Sequence, residues 1–188
     1  AHGQVDGLIN NAGIIQPFVP IAQLDYPAID RVMNVNFYGL LYMTKTFLPL
    51  LLKRPEAHIV NISSMGGFLP VPGQTIYGAS KAAVKLFTEG LRSELMDTPV
   101  KVTIVFPGAI ATNIAANSGA ALKTGATAEN SAIKMTTPVA AAEIIIQGML
   151  HNSYRVLVGS DAKFLDFLYP LGPKFAAEFI HKKIKELI

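Results

Sequence analysis

The stretch His-Ile-Val-Asn-Ile-Ser, residues 58–63, decides how this chain folds. Its isoleucines and valine form a β-branched run of strand length, which ends at Ser63 and is followed by a second serine, Ser64. The stretch lies between two segments of helical pattern, residues 25–53, which start at Asp25, and residues 75–97. A buried strand between two long helices predicts a layered arrangement of sheet and helices.

Outward from that strand, the same alternation continues towards both ends of the chain. Further strands are predicted at residues 6–10, 100–106 and 155–158, and a helix with Thr137 as its N-cap at residues 138–150. Strands that alternate with helices are joined by crossover connections, which makes them parallel. The sequence therefore predicts an α/β fold with about four parallel strands and crossover helices.

The composition limits the classes of function. The 188 residues are 51% apolar, which suits one domain, and a charged fraction of 15% suggests faces that are buried in an oligomer. A net charge of +3, scattered along the chain, argues against nucleic acid as a partner. Cysteine is absent and the four histidines show no ligand spacing, so we propose no metal site. Without a signal-like or membrane-spanning stretch, we expect a cytoplasmic protein.

One pair of residues predicts chemistry. Tyr77 and Lys81 are one helical turn apart and share a face of the helix predicted at residues 75–97. A phenol ionises near pH 10, and a nearby ammonium group favours the phenolate and lowers that pKa. Ser64 precedes the tyrosine by thirteen positions, and its hydroxyl could polarise a carbonyl while the tyrosine transfers a proton. These groups suit the reduction of ketones or the oxidation of alcohols.

Polar and glycine-rich clusters follow the predicted strands at four places. They are residues 10–13, residues 63–64, residues 107–112 and the turn after Val158. Ligands of open α/β sheets bind at the carboxyl ends of the strands, so these clusters predict one site. Residues 113–136, rich in small and polar side chains, are predicted to be a lid or a disordered loop.

Five motifs occur in order along the chain: Asn10-Asn11-Ala12-Gly13, Val35-Asn36-Phe37-Tyr38-Gly39, Ser64 after Asn61-Ile62-Ser63, Tyr77-x-x-x-Lys81, and Pro107-Gly108-x-Ile110-x-Thr112. Together they resemble the short-chain dehydrogenase/reductase family over nearly all of residues 5–160. The resemblance implies a Rossmann-like, doubly wound parallel sheet. Residues 1–160 correspond to the C-terminal part of its dinucleotide-binding and catalytic domain, and residues 161–188 form an amphipathic helical tail.

The resemblance also implies a reaction and its catalytic residues. The family interconverts ketones and secondary alcohols by hydride transfer with NAD or NADP. By position, Tyr77 is the catalytic acid/base, and Lys81 lowers its pKa and holds the nicotinamide ribose. Ser64 orients the substrate carbonyl, and Asn36 supports a water molecule in a proton relay. A small-molecule carbonyl or alcohol is the implied substrate.

Cofactor contacts are implied at two strand ends. The backbone of Ala12 and Gly13 corresponds to the turn near the adenosine ribose, where Asn11 is mostly a structural brace. The Ile110 backbone and the Thr112 hydroxyl correspond to groups that contact the nicotinamide carboxamide. The complete implied set is Asn11, Ala12, Gly13, Tyr77, Lys81, Pro107, Gly108, Ile110 and Thr112.

The chain departs from the family in one respect. The family's first motif, Thr-Gly-x-x-x-Gly-x-Gly, holds the cofactor pyrophosphate at a helix N-terminus, and it does not occur before Asn10. We therefore expect the natural protein to be longer, and this chain by itself to bind the cofactor very weakly. The alternative is a catalytically silent interaction module. The residue that selects NAD or NADP is not in the chain.

Several residues keep a second interpretation at this stage. Ser63 is an alternative to Ser64, and Asn34 lies beside Asn36 in the helix. Thr112 could simply cap the turn that follows it. Tyr77 without its companion motifs would be a surface tyrosine.

The tail carries two apolar-faced helical pieces, interrupted at Pro170 and at Gly172-Pro173 and flanked by lysines. Such a helix either packs against the protein or lies on a membrane surface, and we favour packing. A tail beside the cleft would favour a hydrophobic substrate. By resemblance, the helices at residues 25–53 and 75–97 pair across a two-fold axis, which implies a homodimer or homotetramer.

Overall fold

Four parallel strands form one sheet in a computed structural model of the chain, which describes residues 3–120 and 135–184. The strands are β1 (Gly7–Asn10), β2 (Ala57–Ile62), β3 (Val100–Pro107) and β4 (Arg155–Val158), and they lie in the order β1-β2-β3-β4. Their register pairs Ile59 with Val102 in the centre of the sheet. The predicted parallel α/β sheet is confirmed.

Helices cover the sheet on both faces. The helices are α1 (Tyr26–Met33), α2 (Gly39–Leu51), α3 (Thr75–Glu94), α4 (Ile114–Asn117), α5 (Pro138–Leu150), α6 (Ser160–Leu171) and α7 (Pro173–Ile184). On β2, Ile59 packs in a buried cluster with Leu51 of α2 and Leu91 of α3. The next residue, Val60, packs with Ala141 of α5 on the opposite face. Burial on both faces explains why β2 reads as an almost continuous apolar run.

Local signals fix the starts of two helices as predicted. The Asp25 carboxylate accepts a hydrogen bond of 2.8 Å from the Ala28 amide at the start of α1. The Thr137 hydroxyl accepts one of 3.3 Å from the Ala140 amide at the start of α5. Each side chain satisfies an amide that has no partner within its own helix.

The first long helix contains an irregularity that the sequence did not predict. Between α1 and α2, residues Asn34–Tyr38 form a π-helical turn. A π-helical turn adds a residue to the helix and rotates the side chains that follow it. This turn contains Asn36, which is buried, whereas Asn34 is exposed.

The C-terminal segment forms α6 and α7, which are separated at Gly172. The helix α6 continues through Pro170, so only the second predicted interruption ends a helix. Leu165 and Ile180 are buried against Leu69 of the main body. On the other side of these helices, large apolar side chains are more than half exposed, among them Phe164, Phe167, Leu171 and Phe175.

Most of the predicted lid, residues 121–134, lies outside the described residues. At the N-terminal end of the predicted lid, α4 follows β3. At its C-terminal end, Thr136 pairs with Ile110 in an isolated β-bridge. Within residues 3–120 and 135–184, no helix combines the length and the apolar character needed to cross a membrane.

Candidate functional site

A cleft of 810 Å³ lies at the carboxyl ends of the strands. It brings three of the four predicted polar clusters together, because parallel strands end at the same edge of the sheet. The residues of the predicted site that line it are Asn11, Gly13, Ser64, Tyr77, Lys81, Pro107, Gly108, Ile110 and Thr112. Ala12 is exposed beside the cleft, and Asn36 lies behind its wall.

Ser64 and Tyr77 meet at one side of this cleft. Tyr77 is in the first turn of α3, and its side chain lies beside that of Ser64. Both groups lie against Gly66, where an added Cβ would be 3.5 Å from the Ser64 Oγ and 3.3 Å from the Tyr77 Cε1. The Ser64 Oγ also accepts a hydrogen bond of 3.1 Å from the Gly66 amide, which fixes the orientation of the serine.

The ionisation of Tyr77 differs from the sequence-based prediction. We expected the Lys81 ammonium to lower the tyrosine pKa. Instead, burial raises the pKa of the Tyr77 phenol above its ordinary value of 10.0, and the interaction with the nearby Ser64 hydroxyl offsets this only in part. Burial removes the water that would stabilise a phenolate, and this cost is the larger effect. Tyr77 is therefore a neutral phenol at neutral pH.

Lys81 is buried beneath the end of β2, with 4% of its surface exposed. Its Nζ donates a hydrogen bond of 2.9 Å to the Ile62 carbonyl oxygen. Burial lowers the pKa of Lys81 to about 8. The ammonium lies close to Gly13, where an added Cβ would be 3.2 Å from Nζ. Glycine at this position leaves space beside the ammonium, and a larger residue would crowd it.

Asn36 holds the loop that follows β1. Its Oδ1 accepts from the Ile14 amide at 2.8 Å, and its Nδ2 donates to the Ile14 carbonyl at 2.9 Å. The same Nδ2 donates to the Ser80 Oγ in α3 at 2.9 Å. Asn36 thus ties the loop to the helix that carries Tyr77 and Lys81.

The two neighbouring serines have different environments. The Ser63 Oγ donates a hydrogen bond of 2.8 Å to the Lys81 carbonyl oxygen and is buried. Ser64 contacts Tyr77 and is only partly buried. Ser63 thus joins the end of β2 to α3, while Ser64 presents its hydroxyl to the cleft.

The structural brace after β1 is Asn10, and the prediction that assigned this role to Asn11 was wrong. The Asn10 Nδ2 donates to the Asn61 Oδ1 at 2.8 Å and to the Thr44 Oγ1 at 3.1 Å. Asn61 in turn donates to the Thr88 Oγ1 at 2.9 Å. Asn11 is exposed at the cleft. Residues of a strand alternate between its faces, and Asn10 is the one that points towards α2.

The turn after β3 is held by a residue that the sequence analysis did not identify. The Asp161 carboxylate accepts a hydrogen bond of 2.6 Å from the Ala109 amide. A Cβ at Gly108 would overlap this carboxylate, so glycine is required there. Gly159 precedes α6 with φ of +101°, a conformation that also favours glycine. The Gly-x-Asp pattern directly after a predicted strand was the available signal.

The loop continues from Ala109 into Ile110 and Thr112. The Ala111 amide donates to the Thr136 carbonyl at 3.0 Å, and the Thr112 amide donates to the Ile110 carbonyl at 2.8 Å. The residue at the cap position of α4 is Asn113, and its side chain makes no capping bond.

Among the residues that the structure describes, no three His, Cys, Asp or Glu side chains come together as metal ligands.

Comparison with known proteins adds a family. The profile described as short chain dehydrogenase matches residues 1–123. SadH of Mycobacterium tuberculosis is 40% identical over 175 residues, which are 89% of this chain and 63% of that protein. The Drosophila melanogaster dehydrogenase/reductase SDR family protein 7-like is 34% identical over 190 residues, 99% of this chain and 57% of the fly protein. The chain thus spans about three fifths of the length of these relatives.

Solved structures share the fold. A short chain dehydrogenase from Burkholderia cenocepacia, solved in complex with NADP, superposes with a TM-score of 0.79 at 25% identity, over 94% of this chain and 68% of that one. A short-chain dehydrogenase from Streptomyces avermitilis gives a TM-score of 0.75 at 29% identity, over 98% of this chain and 70% of that one.

Proposed function

This chain belongs to the short-chain dehydrogenase family, and we propose that it carries the catalytic centre of an NAD(P)-dependent oxidoreductase that interconverts a ketone and a secondary alcohol. The observation that carries the proposal is the meeting of Ser64, Tyr77 and Lys81 in one cleft at the carboxyl edge of the sheet. A phenol beside a hydroxyl and an ammonium group is suited to donating a proton to a carbonyl oxygen.

The cleft suits a nicotinamide cofactor, and NAD or NADP is the cofactor of this family. Gly13 leaves the Lys81 ammonium open to a ribose, because an added Cβ there would lie 3.2 Å from it. The Ile110 backbone and the Thr112 hydroxyl offer groups for a carboxamide on the other wall of the cleft. When bound, the cofactor supplies or accepts the hydride at the substrate carbon.

In the direction of reduction, the Tyr77 phenol donates its proton to the substrate oxygen. Its raised pKa keeps the proton on the phenol at neutral pH, and the Ser64 hydroxyl polarises the same oxygen. Lys81 then stabilises the phenolate electrostatically until the proton is replaced. Asn36 holds the loop after β1 in place. By resemblance to the family, we assign to it the support of a water molecule in the relay that returns the proton.

Support for an apolar substrate comes from the cleft itself. Ile15, Ile114 and Ile145 are among its lining residues. The tail, which we expected beside the cleft, contributes instead to a neighbouring recess through Tyr169 and Ala177. The substrate preference therefore rests on the residues around α4 and α5.

A homodimer or homotetramer remains part of the proposal. Tyr42 on α2 and Leu86 on α3 are 62% and 71% exposed. Large apolar side chains on two adjacent long helices support an interface between copies of the chain. Light scattering of the purified protein measures this directly.

The activity is tested by Tyr77→Phe in the purified full-length protein, with NAD(H) and NADP(H) and a panel of ketones and secondary alcohols. We expect kcat to fall by about 100-fold or more, because positioned proton transfer contributes about that factor. Cofactor affinity should change little, since only one hydroxyl is removed. The matched control is Tyr26→Phe, at a position that is 82% exposed and away from the cleft. A kcat above roughly a tenth of the wild-type value would sink the assignment.

A further inference from the structure

The helix that carries Tyr77 begins without a local cap. Gln74 occupies the cap position of α3, and its side chain makes no capping bond. The first amides of a helix have no partner within the helix, and Ser, Thr, Asp or Asn usually supplies one. Asp25 and Thr137 do so for α1 and α5. The start of α3 needs another source of acceptors.

Gln16 supplies them from a position sixty residues earlier in the chain. Its Oε1 accepts from the Ile76 amide at 2.8 Å and from the Tyr77 amide at 3.0 Å. Its Nε2 donates to the Gly73 carbonyl at 3.0 Å, and its own carbonyl accepts from the Gln74 Nε2 at 2.8 Å. The residue is 0% exposed. A buried amide is costly unless it is hydrogen-bonded, and here both ends of it are.

The same loop is anchored a second time, two residues earlier. Asn36 binds both the amide and the carbonyl of Ile14. The loop after β1 is therefore fixed to the first long helix at Ile14 and to the first turn of α3 at Gln16. Through Gln16, the backbone of Tyr77 is held relative to the loop that contains Gly13 and forms one wall of the cleft.

We propose that Gln16 is a positioning residue, which sets the backbone of Tyr77 and thereby the distance between the phenol and the substrate oxygen. The inference rests on the acid/base role proposed above for Tyr77. A displacement of about 1 Å at a reacting group can lower a rate by about 100-fold. Gln16 is not among the residues that line the cleft, so its loss acts on kcat and leaves cofactor affinity nearly unchanged.

The test uses Gln16→Met, which keeps the length of the side chain and removes its polar groups, and Gln16→Glu. The glutamate keeps an oxygen that accepts from the Ile76 and Tyr77 amides but replaces the donor to the Gly73 carbonyl. We expect Gln16→Met to lower kcat by about 10-fold or more, with little change in the Kd of the cofactor. Hydrogen exchange at the Ile76 and Tyr77 amides should become faster in the same variant. Gln16→Glu should keep these amides protected and retain most of the kcat.

The matched control is Asp25→Ala, which removes the cap of α1 and should lower stability while leaving kcat unchanged. A folded Gln16→Met protein with wild-type kcat would overturn the inference, and so would equal losses of kcat in Gln16→Met and Asp25→Ala. If Gln16→Met does not fold, the inference is tested by the kcat and the amide protection of Gln16→Glu. A tenfold loss of kcat with protected amides would contradict the inference, and retained kcat would support it.

If the proposed function is wrong, the experiments give a different set of results from those that would overturn the inference about Gln16. In that case Tyr77→Phe is as active as the wild type, while the amide exchange still reports whether Gln16 fixes the start of α3. Unchanged exchange at Ile76 and Tyr77 in Gln16→Met overturns the inference whether or not the protein is a dehydrogenase.

Discussion

The two ends of the central strands are built from different chemistry. Towards their amino ends, Ile59 and Val102 lie in a cluster of buried apolar side chains. Towards the carboxyl end of β2, Asn61 is as deeply buried as Ile59 but is surrounded by polar partners. An apolar side chain stabilises the fold wherever it is removed from water, whereas a buried polar group does so only when its partner is correctly placed. The apolar end supplies stability, and the polar end supplies position.

The difference predicts where each end is vulnerable. The polar end is a chain of single hydrogen bonds, from Asn10 to Asn61 and from Asn61 to Thr88, with Lys81 beside it. Displacing one member leaves the next unsatisfied. Substitutions at the apolar end should lower stability with little effect on activity, whereas some substitutions at the polar end should also change activity.

The largest loss of stability is expected from Ile59→Ala. Ile59 is 0% exposed, and truncating a buried isoleucine costs about 2–5 kcal/mol through lost transfer energy and the cavity left behind. Chemical denaturation measures this as a lower free energy of unfolding. Ile21→Ala, at a position 51% exposed, is the control and should cost much less. Equal effects at the two positions would contradict the contrast between the ends of the sheet.

Lys81→Met is expected to change the pH dependence of stability. Burial lowers the pKa of Lys81 from 10.5 to about 8. Below pH 8 the folded protein carries a buried ammonium, and the full cost is on the order of 3 kcal/mol at about 1.4 kcal/mol per pKa unit. Between pH 8 and 10.5 the unfolded chain binds more protons than the folded one, so the stability of the wild type rises with pH.

The measurement is the free energy of unfolding between pH 7 and 10, a range chosen from these two pKa values. Lys81→Met should lack the rise and be more stable than the wild type at pH 7. Above pH 10 the raised pKa of Tyr77 acts in the opposite direction, since the unfolded chain then loses protons first. Lys85→Met, on the outer part of the same helix, should keep the rise. An unchanged pH profile in Lys81→Met would show that the lysine is not the cause.

The smallest effects separate the adjacent serines. Ser63→Ala removes the hydrogen bond to the Lys81 carbonyl and should cost about 1 kcal/mol of stability. Ser64→Ala should cost less stability and lower kcat by about 10-fold or more, because the removed hydroxyl contacts Tyr77. Steady-state kinetics and denaturation of both variants test the pair. A larger fall in kcat for Ser63→Ala would reverse the assignment.

The strands were predictable because each is a short apolar run between polar residues. Residues 155–158 were predicted as a strand and form β4, and the run at residues 58–63 forms β2 within one position. The capped starts of α1 and α5 were also predictable from local sequence. In each helix the capping residue and the amide that it satisfies are three positions apart. Such signals involve neighbours in sequence and need no tertiary contact.

The sequence alone also brought Ser64, Tyr77 and Lys81 into one hypothesis, because a helix places residues four apart on one face and parallel strands end at one edge of their sheet. Only the tertiary structure decided which polar residues hold that arrangement. Asn10 rather than Asn11 braces the sheet, and Gln16 completes the start of a helix sixty positions away. It also decided that burial raises the pKa of Tyr77. Hydrogen bonds and burial depend on which groups meet across the fold, and residue spacing does not encode that information.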